Sequence, residues 1–88
     1  MPKVLMYLTA SCPFCQSADR LLRQKGVAVE KIRVDLEPAR RAEMTQKSGG
    51  RRTVPQIWID DLHVGGCDEL YALERAGKLD PLLKIKAA

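Results

Sequence analysis

No apolar run in this 88-residue chain approaches the thickness of a bilayer. The longest, Val4-Leu5-Met6-Tyr7-Leu8, is five residues against the roughly 20 that a spanning helix needs, which excludes a transmembrane anchor there. It is also too short for the core of a secretory signal, and charge-rich sequence follows it, so the expected compartment is cytoplasmic. Aromatics are scarce: one Trp, one Phe and two Tyr, none interleaved with basic residues as a stacking platform for nucleic acid requires. Low-complexity tracts, internal repeats and linkers are missing, so residues 1–88 are expected to form a single domain. With 45% hydrophobic and 30% charged residues the chain is globular, not disordered. A chain this short buries only about 60–65% of its unfolded surface, so its stability should be thin. Cysteines number three, an odd count with two close together. In a compartment that keeps thiols reduced, that pattern points to catalysis or metal binding and away from a structural disulfide framework.

Charge is modestly basic, 15 Lys and Arg against 11 Asp and Glu, net +4. The densest basic stretch is Arg40-Arg41 with Lys47, Arg51 and Arg52. Such a patch either attracts anionic ligands and acidic partners or is a solvated face.

The chain reads as β-α-β-α-β-β-α with a short last helix. Val4–Leu8 suits a strand covered on both faces. Phe14, Ala18, Leu21 and Leu22 form one apolar stripe of a helix over Pro13–Lys25, stopped by Gly26. Glu30–Asp35 alternates, with Ile32 and Val34 on one face. Pro38–Ser48 opens with a first-turn proline and reads as a helix with the stripe Ala39, Ala42 and Met44. Gln56–Ile59, the turn Asp60-Asp61 and Leu62–Val64 form a hairpin. Gly65-Gly66 ends it, Leu70, Leu73 and Ala76 place a helix over Cys67–Ala76, and a short helix fits Pro81–Lys84. Strands joined through a helix lie parallel, whereas the hairpin is antiparallel. The expected fold is therefore α/β: a four-stranded mixed sheet flanked by helices.

Cys12-Pro13-Phe14-Cys15 stands where the first strand gives way to the first helix. Backbone N–H groups at a helix N-terminus are unpaired and carry roughly half a positive charge, which stabilises a thiolate. Cys12 is expected at the N-cap, accessible and nucleophilic, with a pKa lowered from about 8.5 into the range of roughly 3.5–7.5. Cys15, one turn further in, is placed as the buried resolving thiol that closes the Cys12–Cys15 disulfide. The alternative is a zinc site of Cys12, Cys15, Cys67 and His63, which has the right ligand number but no tight second pair. Gly65-Gly66-Cys67-Asp68 reads by itself as a helix entry turn, with Asp68 and Glu69 complementing the dipole. Tyr7 and Trp58 read as core aromatics and Phe14 as an exposed lip.

Tyr7, Cys12-Pro13-Phe14-Cys15, Thr53-Val54-Pro55, Gly65-Gly66-Cys67-Asp68 and the ending Leu79-Asp80-Pro81-Leu82-Leu83 match glutaredoxins in order and spacing. The chain resembles the small bacterial dithiol members, whose motif is usually C-P-Y-C. The resemblance implies a thioredoxin fold and reduction of protein disulfides and protein–glutathione mixed disulfides, with glutathione as cosubstrate. It implies no tightly bound cofactor and no metal, and a monomer whose partners are disulfide-containing or glutathionylated proteins. It further implies a cis peptide before Pro55, with Thr53, Val54 and Pro55 positioning glutathione's peptide backbone. Gly66, Cys67 and Asp68 would hold its γ-glutamyl end, Cys67 mainly through its N–H and Asp68 by pairing with the α-ammonium. Helix N-termini are ready anion sites and glycine permits close approach, so the physics agrees. Two departures stand out. Thr9 occupies the position of a common lysine, for which Arg41 is the candidate replacement, and Phe14 lacks the usual tyrosine hydroxyl.

Two other functions remain open on sequence grounds. A thioredoxin-like reductant would need no γ-glutamyl site at Gly66-Cys67-Asp68. An iron–sulfur carrier sharing a cluster through Cys12 usually has C-G-F-S, and Pro13 stiffens this loop.

Overall fold

The computed structural model describes residues 2–85. Its elements are β1 (Val4–Leu8), α1 (Pro13–Gln24), β2 (Val29–Arg33), α2 (Pro38–Lys47), β3 (Gln56–Ile59), β4 (Leu62–Gly65), α3 (Cys67–Arg75) and α4 (Leu79–Leu83). One sheet holds the strands in the order β2-β1-β3-β4. β1 is parallel to β2, with Val4 opposite Val29 and Leu8 opposite Arg33. It is antiparallel to β3, with Val4 opposite Ile59 and Tyr7 opposite Gln56. β3 and β4 form the antiparallel hairpin, in which Trp58 faces His63. The mixed sheet expected from the element order is what the chain forms.

Strand alternation sorts the apolar residues onto two faces. Val4, Met6, Ile57 and Ile59 pack against Ala18, Leu21 and Leu22 of α1, Leu70 of α3 and Leu79 and Leu83 of α4. Tyr7, Ile32, Val34 and Trp58 form a second core with Met44 of α2. Because β1 is apolar on both faces, it can occupy the interior of the sheet. Lys25 joins three helix ends on the first face, its Nζ lying 2.8 Å from Glu74 and 2.7 Å from Asp80.

Most elements end within one residue of the sequence reading, and the larger shifts are at β2 and α4. β2 begins at Val29 and ends at Arg33, although Val34 stays buried and its N–H still bonds to Leu8 O. Asp35 leaves the ladder because its carboxylate takes the Arg33 guanidinium at 2.7 Å and the Ala10 N–H at 3.3 Å. α4 starts at Leu79, whose side chain is fully buried. On α2 the expected stripe is incorrect: Ala39 and Ala42 are exposed and Met44 is the buried residue. This helix meets the sheet through polar contacts as well, since Tyr7 donates its hydroxyl to Glu43 and Lys47 lies over the Trp58 ring at 4.7 Å. Burial and the Glu43 carboxylate push the Tyr7 phenol up to about 12.

Candidate active site at the first helix terminus

β1 delivers the chain to the edge of the sheet, and Cys12 becomes the N-cap of α1 with extended backbone (φ −109°, ψ 105°). Pro13 follows at the first helical position, where its missing N–H costs nothing. Cys12 Sγ accepts the N–H of Cys15 at 3.1 Å, so a helix-terminal amide points at the sulfur. A thiolate in that place would receive a charge-assisted hydrogen bond and the favourable end of the helix dipole. Cys12 and Cys15 form a disulfide, with Cα atoms 5.2 Å apart. In this oxidised form Cys12 is only 8% exposed, less open than the sequence reading expected, and Cys15 is 1% exposed. The Cys12 sulfur lies 3.7 Å from the Val54 carbonyl oxygen.

Beside this disulfide runs a groove of about 130 Å³ lined by Phe14, Arg51, Thr53, Val54, Pro55, Gly66, Cys67, Asp68 and Glu69. Three separated stretches of sequence meet there. Phe14 comes from the first turn of α1 and is 63% exposed at the rim. Thr53-Val54-Pro55 forms one wall and enters β3 through a cis Val54–Pro55 peptide. Gly66 to Glu69 forms the other wall, where β4 turns into α3. The walls approach closely: a Cβ on Gly66 would stand 3.2 Å from the Pro55 carbonyl oxygen, which explains the glycine.

Gly66 caps α3, whose first backbone bond runs from the Leu70 N–H to Gly66 O. The N–H groups of Cys67 and Asp68 precede that bond and sit at the positive end of the helix. Glu69 reaches back to accept the Gly66 N–H at 2.7 Å and pairs with Arg51 at 3.0 Å. Those two contacts, the backbone one first, hold its carboxyl below the usual range. Burial, followed by the carboxylates of Asp68 and Glu69, pushes the Cys67 thiol up. Cys67 is therefore poorly suited to be a nucleophile.

All the groove residues expected from sequence come together except one. Arg41 lies on the exposed side of α2, where its guanidinium donates to Arg52 O at 3.1 Å over a separate hollow. Arg51 occupies the groove instead. Glu69 also lines it, and its spacing from the Gly66 cap was a usable signal because a glutamate three residues past a cap commonly bonds back. Nothing in the sequence separated Arg51 from Arg41, Arg40 or Arg52. His63, considered above as a zinc ligand, has its Nε2 2.8 Å from Gln56 Oε1 and its ring stacked on Trp58. Among the described residues no group of three His, Cys, Asp or Glu side chains is placed to hold a metal ion.

The sequence profile of the glutaredoxin family, described as Glutaredoxin, matches residues 4–64. The chain belongs to that family. It is 58% identical over 83 residues to the glutaredoxin of Pseudomonas aeruginosa, covering 94% of this chain and 98% of that one. To glutaredoxin 3 of Escherichia coli K12 it is 51% identical over 84 residues, covering 96% and 100%. Among solved structures it is similar to a buckwheat glutaredoxin–glutathione complex at a TM-score of 0.86 and 32% identity, covering 94% of this chain and 77% of that one. The solution structure of a Brucella melitensis glutaredoxin superposes at a TM-score of 0.83 with 49% identity, covering 100% and 96%. The architecture is thus the thioredoxin fold. As a glutaredoxin the protein is a glutathione-dependent thiol–disulfide oxidoreductase, and Cys12 and Cys15 are its redox pair.

Proposed function

We propose that the groove between Thr53-Val54-Pro55 and Gly66-Cys67-Asp68 seats glutathione with its sulfur against Cys12. The observation that carries this reading is the meeting of two peptide-binding features beside one sulfur. Val54 presents backbone to an extended ligand in the manner of strand addition, while the first-turn amides of α3 suit a carboxylate. Asp68 pairs with the ligand's α-ammonium, Phe14 covers it from the rim, and Arg51, in place of Arg41, attracts the glycyl carboxylate.

In this mechanism the Cys12 thiolate attacks the glutathione sulfur of a protein–glutathione mixed disulfide. The Cys12–glutathione bond forms, the old S–S bond breaks, and the protein sulfur leaves as a thiolate that takes a proton from water. A second glutathione thiolate then attacks the bound glutathione sulfur, releasing oxidised glutathione and the Cys12 thiolate. With a protein disulfide, Cys12 forms the mixed disulfide and the Cys15 thiolate attacks Cys12 Sγ, expelling the reduced protein and leaving the Cys12–Cys15 bond. Two glutathiones reduce that bond, and a separate NADPH-dependent reductase returns the oxidised glutathione. The burial of Cys15 suits a thiol that only Cys12 needs to meet.

The split between two variants tests the reading. Cys12→Ser should lose all activity, whereas Cys15→Ser should keep deglutathionylation and lose most protein disulfide reduction. Equal loss in both variants of a glutathione-coupled assay would overturn it. We take the protein to act as a cytoplasmic monomer of one domain. Among the described residues no helix is long and apolar enough to cross a membrane.

A further inference from the structure

Gln56 is a fully buried polar side chain immediately after Pro55. Its Nε2 lies 3.1 Å from the Thr53 carbonyl oxygen and 3.2 Å from Thr53 Oγ1. Its Oε1 lies 2.8 Å from His63 Nε2. A carbonyl can only accept, so the Gln56 nitrogen must face Thr53 and its oxygen must face the histidine. That assigns the imidazole proton to Nε2 of His63. The His63 ring is held in turn by stacking on Trp58, with centroids 4.5 Å apart and planes 27° apart. Trp58 sits directly across the hairpin and packs edge-on against the buried Tyr7 at 5.4 Å. A continuous set of contacts therefore leads from the core under α2 to Thr53 on the groove wall. No residue in the set before Thr53 lines the groove itself.

We propose that Gln56 and His63 are a positioning pair, fixing Thr53 and hence the Thr53–Val54 backbone in the conformation that receives the peptide part of glutathione; this rests on the glutathione site proposed above. Gln56 supplies the two donors that anchor Thr53, and His63 keeps the amide from rotating. The buried amide is fully used by these partners, so it adds no unpaired polar group to the core.

Gln56→Met, close in volume but without donors, should raise the KM for a glutathionylated peptide substrate about three- to tenfold, the size of one lost hydrogen bond, with kcat unchanged. His63→Phe keeps a ring on Trp58 but deletes the donor, and should raise KM by a smaller factor. His63→Gln returns an N–H at similar reach and should restore it. A merely structural role would lower the thermal midpoint and leave KM alone. Folded Gln56→Met and His63→Phe proteins with wild-type KM would overturn the inference; if Gln56→Met does not fold, His63→Phe decides. Asp68→Asn, measured in parallel, separates the two levels. An unchanged KM in Asp68→Asn defeats the glutathione site itself, whereas a raised KM there with wild-type values in the other two defeats only the positioning pair.

Discussion

Replacing Glu69 by alanine removes several contributions at one point, where β4 turns into α3. The carboxylate accepts the Gly66 N–H at 2.7 Å, pairs with Arg51 at 3.0 Å and stands in the first turn of α3. Glycine has no side chain to donate or accept a reciprocal capping bond, so the backbone bond from Glu69 is the contact that closes this turn. Such a cap contributes about 1 kcal/mol. The ion pair adds no more than about 1 kcal/mol, because its side chains are 42% and 44% exposed. Glu69→Ala should therefore cost about 1–2 kcal/mol, which for a domain of this size lowers the thermal midpoint by roughly 5–15 °C. Glu69→Gln keeps an oxygen for Gly66 and should lose less than half of that. The pH dependence follows from the lowered carboxyl. The charge-dependent stabilisation is fully present above the ordinary glutamate value near 4.3 and is lost as pH falls through the lower folded value. Thermal melts by circular dichroism at pH 7 and pH 3 should show a gap between wild type and Glu69→Ala that is clearly larger at the first than at the second, the remainder at pH 3 being the neutral carboxyl's bond to Gly66. An absent gap at pH 7, or an equal gap at both, would refute the reasoning.

Leu70 is fully buried between α3 and the sheet, and Leu70→Ala should cost about 2–5 kcal/mol in urea unfolding, a large share of a small domain's stability. Gly65 has φ +112°, and a Cβ there would lie 2.5 Å from Glu69 Oε1; Gly65→Ala should lower the thermal midpoint and weaken glutathione binding together in calorimetry. Tyr7 stays protonated in the fold until about 12, mainly through burial, while an unfolded tyrosine ionises near 10. Stability should accordingly fall as pH rises from about 10 towards 12, and Tyr7→Phe should flatten that decline in urea midpoints measured across the range. In the reduced protein at pH 7, mass spectrometry should find iodoacetamide on Cys12 well before Cys67, whose thiol is buried and pushed up by burial and the neighbouring Asp68 and Glu69.

Most of this molecule follows from short-range patterns. The unbroken apolar run Val4–Leu8 demands cover on both sides and becomes the interior strand β1. The spacing of Ala18, Leu21 and Leu22 gives α1 one buried face. Cys12 and Pro13 mark its start by cap chemistry that depends on nothing distant, so the redox pair is legible in the chain alone. α2 resisted that approach because its contact with the sheet runs through Glu43, Met44 and Lys47, two of them charged residues that pattern reading assigns to solvent.

What tertiary structure alone decided is which distant residues share a neighbourhood. Arg51 and not Arg41 reaches the groove because one precedes the wall strand while the other lies on the outer side of a helix, and in sequence both are simply arginines in a basic stretch. The same holds for His63, a possible metal ligand on paper, which the hairpin register sets against Trp58 and Gln56. Helix caps and apolar periodicity are recorded within a few residues of chain, whereas a side chain's partner across a sheet exists only once the strands have paired.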